Sequence, residues 1–226
     1  MNDIEVPTVS SLMPIWKLVD YQETLKSIQS TNLIAFSSTS ILSKENSSSA
    51  EERHIANLLH QGETWVHDKW SKTNGCALIF RPTMIYGGEQ NQNINRIKRV
   101  IKLTRFFVLP GRGTGLRQPV HAEDLAKLCC QCLDYQQHGI RTLCLTGGET
   151  LQYRTMIERI SLSSGVQPKI ISLPHYVLGV SAGIMRFLPI FKDMTSEMLT
   201  RVNQDLCYDH QEAVDMFNWS PRIFQP

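Results

Sequence analysis

The chain has 226 residues, a hydrophobic fraction of 42% and a formal net charge of +2 at pH 7. This length suits one domain, or one domain with a small lobe, and the apolar content supplies a real core, which excludes disorder as the default. The charge is too small to argue for a nucleic-acid surface, and the basic residues from Arg96 to Lys102 are not interleaved with aromatic ones, so nucleic acid is not an expected partner.

The first half of the chain predicts a strand, a helix and a second strand. After a helix expected over about 18–30, the run NLIAFSSTSI predicts a short strand that ends in hydroxyl residues. Ser47 to Ser49 suit the cap of a helix that carries Glu51 and Glu52 in its first turn and reaches about Thr73. The run CALIF lacks polar alternation, which is typical of a strand covered on both faces. This order predicts a βαβ crossover.

The second half continues the alternation. Helical spacing of apolar residues appears in NINRIKRVIKL, and FFVLPGRGTG predicts a strand followed by a glycine-rich turn. The segment HAEDLAKLCCQCLDY predicts a further helix, TLCLTGG one more short strand, and TLQYRTMIERISLSSG a helix that ends at Gly165. No internal repeat or low-complexity tract is present.

Three of the six cysteines, Cys129, Cys130 and Cys132, lie in one of these predicted helices at alanine-like positions. A reduced, cytoplasmic protein is the simpler account of this usage. Cys129 and Cys132 form a C-x-x-C, but no second pair follows at metal-binding spacing. Packing is therefore favoured over a metal or redox role, and no metal is expected.

Neither a secretory signal nor a membrane span is expected. Residues 1–16 contain two acidic residues and no long apolar core. The most apolar late stretch, residues 170–191, is interrupted by Pro174, His175, Arg186 and Pro189. A packed amphipathic helix is favoured there, and no membrane is expected as a partner.

Four motifs occur in a characteristic order: FSSTS, FRPTMIYGG, GLRQPVHAEDLA and LTGGETLQYRTMIERIS. In this order and at these distances, the chain from about Leu12 to its carboxyl end resembles the extended short-chain dehydrogenase/reductase family, the NAD-dependent nucleoside-diphosphate-sugar epimerases and dehydratases. The resemblance implies an α/β fold: a Rossmann-like doubly wound parallel sheet with a small carboxyl-terminal substrate lobe. It also implies hydride chemistry on a sugar bound beside a nicotinamide, with NAD or NADP as cofactor and a sugar nucleotide as ligand.

The resemblance also implies roles for individual residues. Thr39 falls where the family places a hydroxyl that hydrogen-bonds the reacting sugar oxygen, a task that suits a neutral group able to donate and to accept. The residues implied beside the nicotinamide are Ser37, Ser38, Pro82 and Thr83. A proline at this position fixes the backbone and is expected to leave a carbonyl free to accept. The alternative for residues 37–40 is a strand-end turn that satisfies local amides.

Arg117 matches the family's arginine that grips the diphosphate of the sugar nucleotide, which suits a planar guanidinium. A surface ion pair is the alternative for Arg117. Tyr86 is expected to pack, and His121 to act as a structural hydrogen-bonding residue that ties its loop to the next helix. Glu149 is expected to support the same loop, with a functional role as the lesser alternative.

Three departures from the family pattern stand out. No glycine-rich turn for the dinucleotide pyrophosphate occurs near residue 1, so the first strands of the family fold are expected to be missing. The family's Y-x-x-x-K pair would fall near Ile55 or Ala56 and near Leu59 or His60, where neither partner is present. Met84 also replaces an asparagine that binds substrate in many epimerases.

Two interpretations follow. The first is an atypical NAD(P)-dependent sugar-nucleotide epimerase, dehydratase or reductase whose residues 1–226 form one domain, with about 150–226 contributing mostly to the lobe. The second is a non-catalytic scaffold or regulatory relative. A sheet without its first strands would expose an edge, so a partner or a homodimer is favoured. Family members commonly dimerise through the helix corresponding to about 50–73, whose Leu58, Leu59, Trp65 and Trp70 suit an interface or the core equally.

Overall fold

The structure is a computed structural model that describes residues 7–28, 30–73, 75–88, 92–135, 137–173 and 201–226. Most of the apolar stretch 170–191, for which a packed helix is predicted, lies outside these residues, as do residues 1–6 of the amino-terminal stretch. The described chain divides into two compact units, the first built from Met1–Thr83, Glu123–Thr146 and Tyr208–Pro221. The second is built from Met84–Ala122, Gly147–Cys207 and Arg222–Pro226. The single domain expected from the sequence stays a prediction.

A four-stranded parallel sheet forms the centre of the first unit. Its strands, in spatial order, are β1 (Thr8–Ser11), β2 (Asn32–Phe36), β3 (Cys76–Pro82) and β8 (Gly139–Leu145). Residues 76–80 of β3 are all buried, as expected of a strand covered on both faces. This arrangement confirms the predicted parallel α/β class and its βαβ crossover.

The connection from β1 to β2 differs from the single predicted helix over about 18–30. A 3₁₀ helix (Ile15–Tyr21) leads into α1 (Gln22–Ser27). Ile15 and Leu18 are the buried residues of the 3₁₀ helix, and their spacing of three is the one that a 3₁₀ helix places on a single line. Burial of these two anchors against the sheet therefore selects the tighter helix in the first turns.

The crossover from β2 to β3 passes through α2 (Ser40–Lys44) and α3 (Ala50–Trp70). Ser49 caps α3 by accepting a hydrogen bond from the N–H of Glu52, and Ser47 donates to the Glu52 carboxylate over 2.7 Å. The predicted cap is thereby confirmed. Residues of α3, the 3₁₀ helix and the sheet share one core, whose buried members are Ile15, Leu18, Leu33, Ala35, Leu59, Val66, Trp70, Ala77 and Ile79.

Helices cover both faces of this sheet, as in a doubly wound fold. Val9 packs against the core shared with α3, while the next residue, Ser10, contacts the thiol of Cys129 on α5 (Ala122–Gln131) over 3.0 Å. Because successive side chains of a strand point to opposite faces, α3 and α5 lie on opposite sides. Cys129 and Cys132 are buried, which confirms their packing role, whereas Cys130 is exposed. The first unit ends with α7 (Gln211–Phe217).

The second unit consists of short strand pairs and two helices. Its elements are β4 (Ile85–Tyr86), α4 (Gln92–Thr104), β5 (Phe106–Pro110), β6 (Leu116–Arg117), β7 (Val120–His121), β9 (Leu151–Gln152), α6 (Tyr153–Ser163) and β10 (Lys169–Leu173). Strands β4 and β7 pair in parallel, as do β5 and β10, whereas β6 and β9 are antiparallel. The core of the unit contains Ile94 and Ile101 of α4 and Met156, Ile157 and Ile160 of α6.

Candidate functional site

The carboxyl ends of β2 and β3 bring two of the four motifs together. The ladder continues past the strands: the N–H of Ser37 donates to the Phe80 carbonyl over 2.7 Å, and that of Thr39 to the Pro82 carbonyl over 3.1 Å. On the other side of β3, the Thr83 N–H donates to Leu145 over 3.0 Å. The edge where ligands bind in parallel α/β sheets is thus lined by FSSTS and by the end of FRPT.

Thr39 and Pro82 are held together more tightly than the sequence suggested. The Thr39 hydroxyl also donates to the Pro82 carbonyl, over 3.2 Å, and the bond is buried. The expectation that this carbonyl is free to accept from a ligand is therefore wrong, because it already accepts two hydrogen bonds from Thr39. Pro82 has no backbone N–H to donate, but its carbonyl faces the loop that contains Thr39.

Ser37 and Ser38 differ in their partners. The Ser37 hydroxyl donates to the carboxylate of Glu63 on α3, and the residue is 8% exposed. The Ser38 hydroxyl accepts from the N–H of Ser40 over 3.1 Å. The strand-end turn considered for residues 37–40 therefore describes Ser38, while Ser37 belongs to a buried polar cluster.

That cluster is built around Glu63 and Arg81. Arg81 Nε donates to Glu63 Oε1 over 2.8 Å, and its Nη2 donates to Oε2, so the pair is bidentate. The hydrogen bond to Glu63 raises the pKa of Arg81. The sequence reasoning did not predict this pair. The available signal was a carboxylate at position 63, between Leu59 and Val66 on the apolar stripe of α3.

Ser11, the last residue of β1, is a second feature that the sequence reasoning missed. The residue is 5% exposed, and its hydroxyl oxygen makes no hydrogen bond within the described part of the chain. A buried hydroxyl without a partner is rare and costly. It lies at the carboxyl end of its strand, in register with Ala35 one residue before the end of β2.

The positions corresponding to the family's tyrosine and lysine lie on α3. Ala56 and Leu59 are 4% and 3% exposed and hold no proton-transfer group. His60 is exposed, and its Nδ1 lies 3.0 Å from the hydroxyl of Thr64 one turn later. Ile55 packs partly against the core. The helix face that would relay protons is thus an apolar packing face here. Of the four α3 residues considered for a dimer interface, Leu59 and Trp70 are buried in that same core.

Arg117 belongs to the second unit and is 9% exposed. Its Nη1 donates to the carbonyls of Leu116 and Gln204, each over 2.7 Å, and its Nη2 to that of Arg201 over 2.6 Å. The guanidinium carbon also lies 5.3 Å from the ring centre of Tyr153. Arg117 therefore clamps the segment 201–206 to β6, and its contact with a diphosphate stays a prediction.

The remaining motif residues have packing and anchoring roles. Tyr86 is 1% exposed, which confirms its expected packing; its hydroxyl donates to the Ile223 carbonyl over 3.1 Å. His121 pairs with Tyr86 in the β4–β7 ladder, and the two rings meet edge to face at 4.9 Å. The Glu149 carboxylate accepts from the Phe224 N–H over 2.7 Å and pairs with Arg159, so it anchors the carboxyl-terminal segment to α6.

The carboxyl edge of this sheet presents groups that suit the nicotinamide end of a dinucleotide. It offers hydroxyl and backbone groups, including the Ser11 hydroxyl that lacks a protein partner. The two ionised side chains beside it, Glu63 and Arg81, neutralise each other. Ser37, Ser38, Pro82 and Thr83 are the residues predicted to lie beside the ring and Thr39 the residue predicted to face the substrate, and these roles stay predictions.

The described fold defines the class: this is an α/β protein with a Rossmann-like parallel sheet. Its backbone is similar to that of UDP-glucose 4-epimerase from Thermotoga maritima, solved with UDP-glucose, with a TM-score of 0.67 and 12% identity over 96% of this chain and 73% of that chain. It is also similar to UDP-glucuronic acid 4-epimerase from Bacillus cereus in complex with NAD, with a TM-score of 0.64 and 16% identity over 93% of this chain and 61% of that chain. A third solved structure is RMD from Pseudomonas aeruginosa complexed with NADPH, with a TM-score of 0.64 and 11% identity over 91% and 67% of the two chains.

At this low identity the similarity shows the fold alone: the chain shares the Rossmann-like α/β fold of these three solved structures, the fold that the four motifs implied. The chain spans only about three fifths of the length of the Bacillus cereus enzyme. No protein-family model matches the sequence, and no curated protein is significantly similar to it. Among the described residues, no helix is both long enough and apolar enough to cross a membrane.

Proposed function

We propose that this protein binds a nicotinamide dinucleotide, NAD or NADP, at the carboxyl edge of its parallel sheet and acts on a nucleoside-diphosphate sugar or a related alcohol by hydride transfer. The observation that carries the proposal is the double hydrogen bond from Thr39 to the Pro82 carbonyl. It fixes the FSSTS and FRPT segments together at the edge where such folds hold ligands. The cofactor, when bound, supplies the hydride donor or acceptor.

Thr39 is the catalytic residue of the proposal, and its hydrogen bonding defines what it can do. Because its own proton is donated to Pro82, the hydroxyl oxygen retains lone pairs that can accept a hydrogen bond from a substrate alcohol. Thr39 would therefore orient the alcohol. A hydroxyl does not ionise at neutral pH, so Thr39 would not remove the proton completely. We expect slow turnover, limited by proton transfer to solvent.

A non-catalytic binding protein is the second candidate. The burial of Ala56 and Leu59 favours it, since the family's proton relay would require polar groups at these positions. In this alternative the sheet edge still binds a dinucleotide or serves a partner, but no hydride is transferred. A homodimer and a cytoplasmic location, as expected from the sequence, remain predictions under either function.

Titration of the purified chain with NADH and NADPH, followed by nicotinamide fluorescence, tests the proposal. We expect saturable binding of one nucleotide. Thr39→Val should bind it about tenfold more weakly, because the variant loses the side-chain hydrogen bond to the Pro82 carbonyl that holds the two segments of the site together. Thr24→Val, at an exposed position of α1, is the matched control and should bind like the parent. If neither nucleotide gives a saturable change, the proposal fails. Saturable binding without oxidation or reduction of any sugar nucleotide would favour the second candidate.

A further inference from the structure

One side of α4 forms a basic groove in the second unit. Asn95, Lys98, Arg99, Lys102 and Leu103 line an open groove of about 450 Å³. Their spacing of three, four, seven and eight residues from Asn95 places them on one side of the helix. We call this surface the α4 groove.

The opposite side of α4 is buried, so the side that lines the groove faces solvent. Ile94 and Ile101 are 4% and 0% exposed, and with the partly buried Ile97 they pack into the core of the second unit. A helix anchored in this way cannot turn its basic side chains away from solvent. The α4 groove is therefore on the solvent-facing side of the helix.

The charge of this region is strongly one-sided. Residues 92–112 contain six of the 23 basic residues of the chain and none of its 21 acidic residues. Within the described ranges, no carboxylate forms an ion pair with Lys98, Arg99 or Lys102. Lys98 and Lys102 are also one helical turn apart, where like charges repel. An anionic ligand would relieve this repulsion.

Exposed apolar side chains accompany the basic ones. Leu103 is 71% exposed, Phe106 42% and Ile171 44%. In the β5–β10 pair, Phe106 lies opposite Lys169 and Val108 opposite Ile171, so Phe106, Lys169 and Ile171 share one side of the pair. Phe107 and Ile170, on the other side, pack against the core. Basic and apolar groups are thus exposed together along the end of α4 and the adjoining strands.

We propose that this surface docks on a membrane that contains anionic phospholipids. Lipid phosphates would occupy the α4 groove, and Leu103 and Phe106 would enter the boundary between headgroups and acyl chains. This combination of basic residues with protruding apolar ones is how peripheral proteins bind membranes. A nucleic acid would use aromatic rings among the basic residues of the groove, and a free phosphate would make no use of the apolar side chains.

The proposed contact is peripheral and goes beyond the function proposed above, on which it does not depend. It also differs from the expectation from the sequence, which included no membrane partner. The reason is that hydropathy detects spans, whereas this surface joins residues from α4, β5 and β10, and the exposure of Leu103 and Phe106 is a property of the fold.

Cosedimentation of the full chain with vesicles tests the proposal. We expect binding to vesicles of phosphatidylcholine mixed with phosphatidylserine, weakening with added salt, and little binding to phosphatidylcholine alone. The triple variant Lys98→Glu/Arg99→Glu/Lys102→Glu should bind at least about a hundredfold more weakly, since each basic residue near such a surface contributes about fivefold. Circular dichroism establishes that each variant is folded.

Two matched controls make the result specific. Lys26→Glu/Lys72→Glu/Lys127→Glu changes the net charge equally at exposed positions of the first unit and should bind like the parent. Leu103→Ser/Phe106→Ser should weaken binding at every salt concentration, whereas Leu12→Ser, at a residue that is 78% exposed, should not. Equal effects of the two triple variants, or equal binding to neutral vesicles, would overturn the proposal. So would failure to bind anionic vesicles, including the case in which pyrophosphate or a short RNA binds in a manner that depends on Lys98, Arg99 and Lys102.

Discussion

Glu63 on α3 and Arg81 on β3 form a bidentate ion pair beside the carboxyl edge of the sheet, with side chains that are 7% and 21% exposed. The Glu63 carboxylate also accepts the hydroxyl proton of Ser37. One carboxylate therefore joins the helix to two neighbouring strands at the place where the candidate cofactor site begins. The carboxylate can stay ionised in this core because Ser37 and Arg81 both donate hydrogen bonds to it.

We expect Glu63→Gln to lower the free energy of unfolding by about 3 kcal/mol, because it leaves the Arg81 charge partly buried without its counter-ion. Urea denaturation measures the loss. Glu158→Gln removes the carboxylate of an ion pair with Arg154 whose side chains are 46% and 40% exposed, and it should change stability by no more than about 0.5 kcal/mol. Similar losses for both variants would contradict the structural role of the Glu63–Arg81 pair.

Gly62 lies where α3 touches the 3₁₀ helix. A Cβ atom at this position would lie 2.7 Å from the backbone nitrogen of Trp16 and 2.8 Å from the carbonyl carbon of Ile15. We expect Gly62→Ala to destabilise the protein by about 1 to 3 kcal/mol through overpacking, even though alanine favours helices. Thermal unfolding gives the measurement, with the exposed Gln61→Ala as control. A stabilised Gly62→Ala protein would show that the two helices separate easily.

Substitution of Ser11 tests whether its buried hydroxyl is a contact for a bound ligand. Without a ligand, Ser11→Ala should raise the free energy of unfolding by about 1 kcal/mol, because it removes a buried polar atom that has no partner in the described chain. If the hydroxyl contacts a dinucleotide, the same variant should bind NADH or NADPH more weakly. Stability without nucleotide and affinity would then change in opposite directions. A variant that is less stable and binds normally would assign Ser11 a purely structural role.

Much of the fold was predictable because it depends on local signals. The apolar run of β3 and the serine cap of α3 predicted these elements correctly, and the order of the four motifs predicted the Rossmann-like class. The 3₁₀ helix was not predictable, because its tighter winding depends on where Ile15 and Leu18 meet the sheet. The local sequence does not show where these two side chains pack against the sheet.

The candidate site was predictable as a location and much less so as a set of contacts. The motifs identified Thr39 and Pro82 as neighbours, but whether the Pro82 carbonyl accepts from a ligand or from Thr39 depends on the path of the loop. The Glu63–Arg81 pair was missed because its partners are 18 residues apart and come from a helix and a strand. Arg117 was recognised by its motif, but its carbonyl partners 84 and 87 residues later leave no local signal.

Cys132 makes stability depend on pH in the alkaline range. Burial raises the pKa of its thiol from 9.0 to about 12. Between these values the unfolded chain loses the proton while the folded chain keeps it, so the unfolded state binds fewer protons and stability falls as pH rises. We expect a decrease of about 1.4 kcal/mol per pH unit from this thiol above pH 9, and none below. Urea denaturation at several pH values should show a shallower decrease for Cys132→Ala than for the exposed Cys130→Ala.

Substitution of Arg117 by lysine distinguishes a structural role for this arginine from a role in ligand binding. Lysine would keep the charge but lose the planar fork that reaches the carbonyls of Leu116, Arg201 and Gln204. If the clamp is its main role, Arg117→Lys should lower the free energy of unfolding by about 1 to 3 kcal/mol in the absence of any nucleotide, because partly buried carbonyls lose hydrogen bonds from a charged donor. Arg112→Lys is the matched control at an exposed position and should be neutral. A variant of unchanged stability that binds UDP-sugars at least tenfold more weakly would instead identify Arg117 as a diphosphate ligand, as its motif implied.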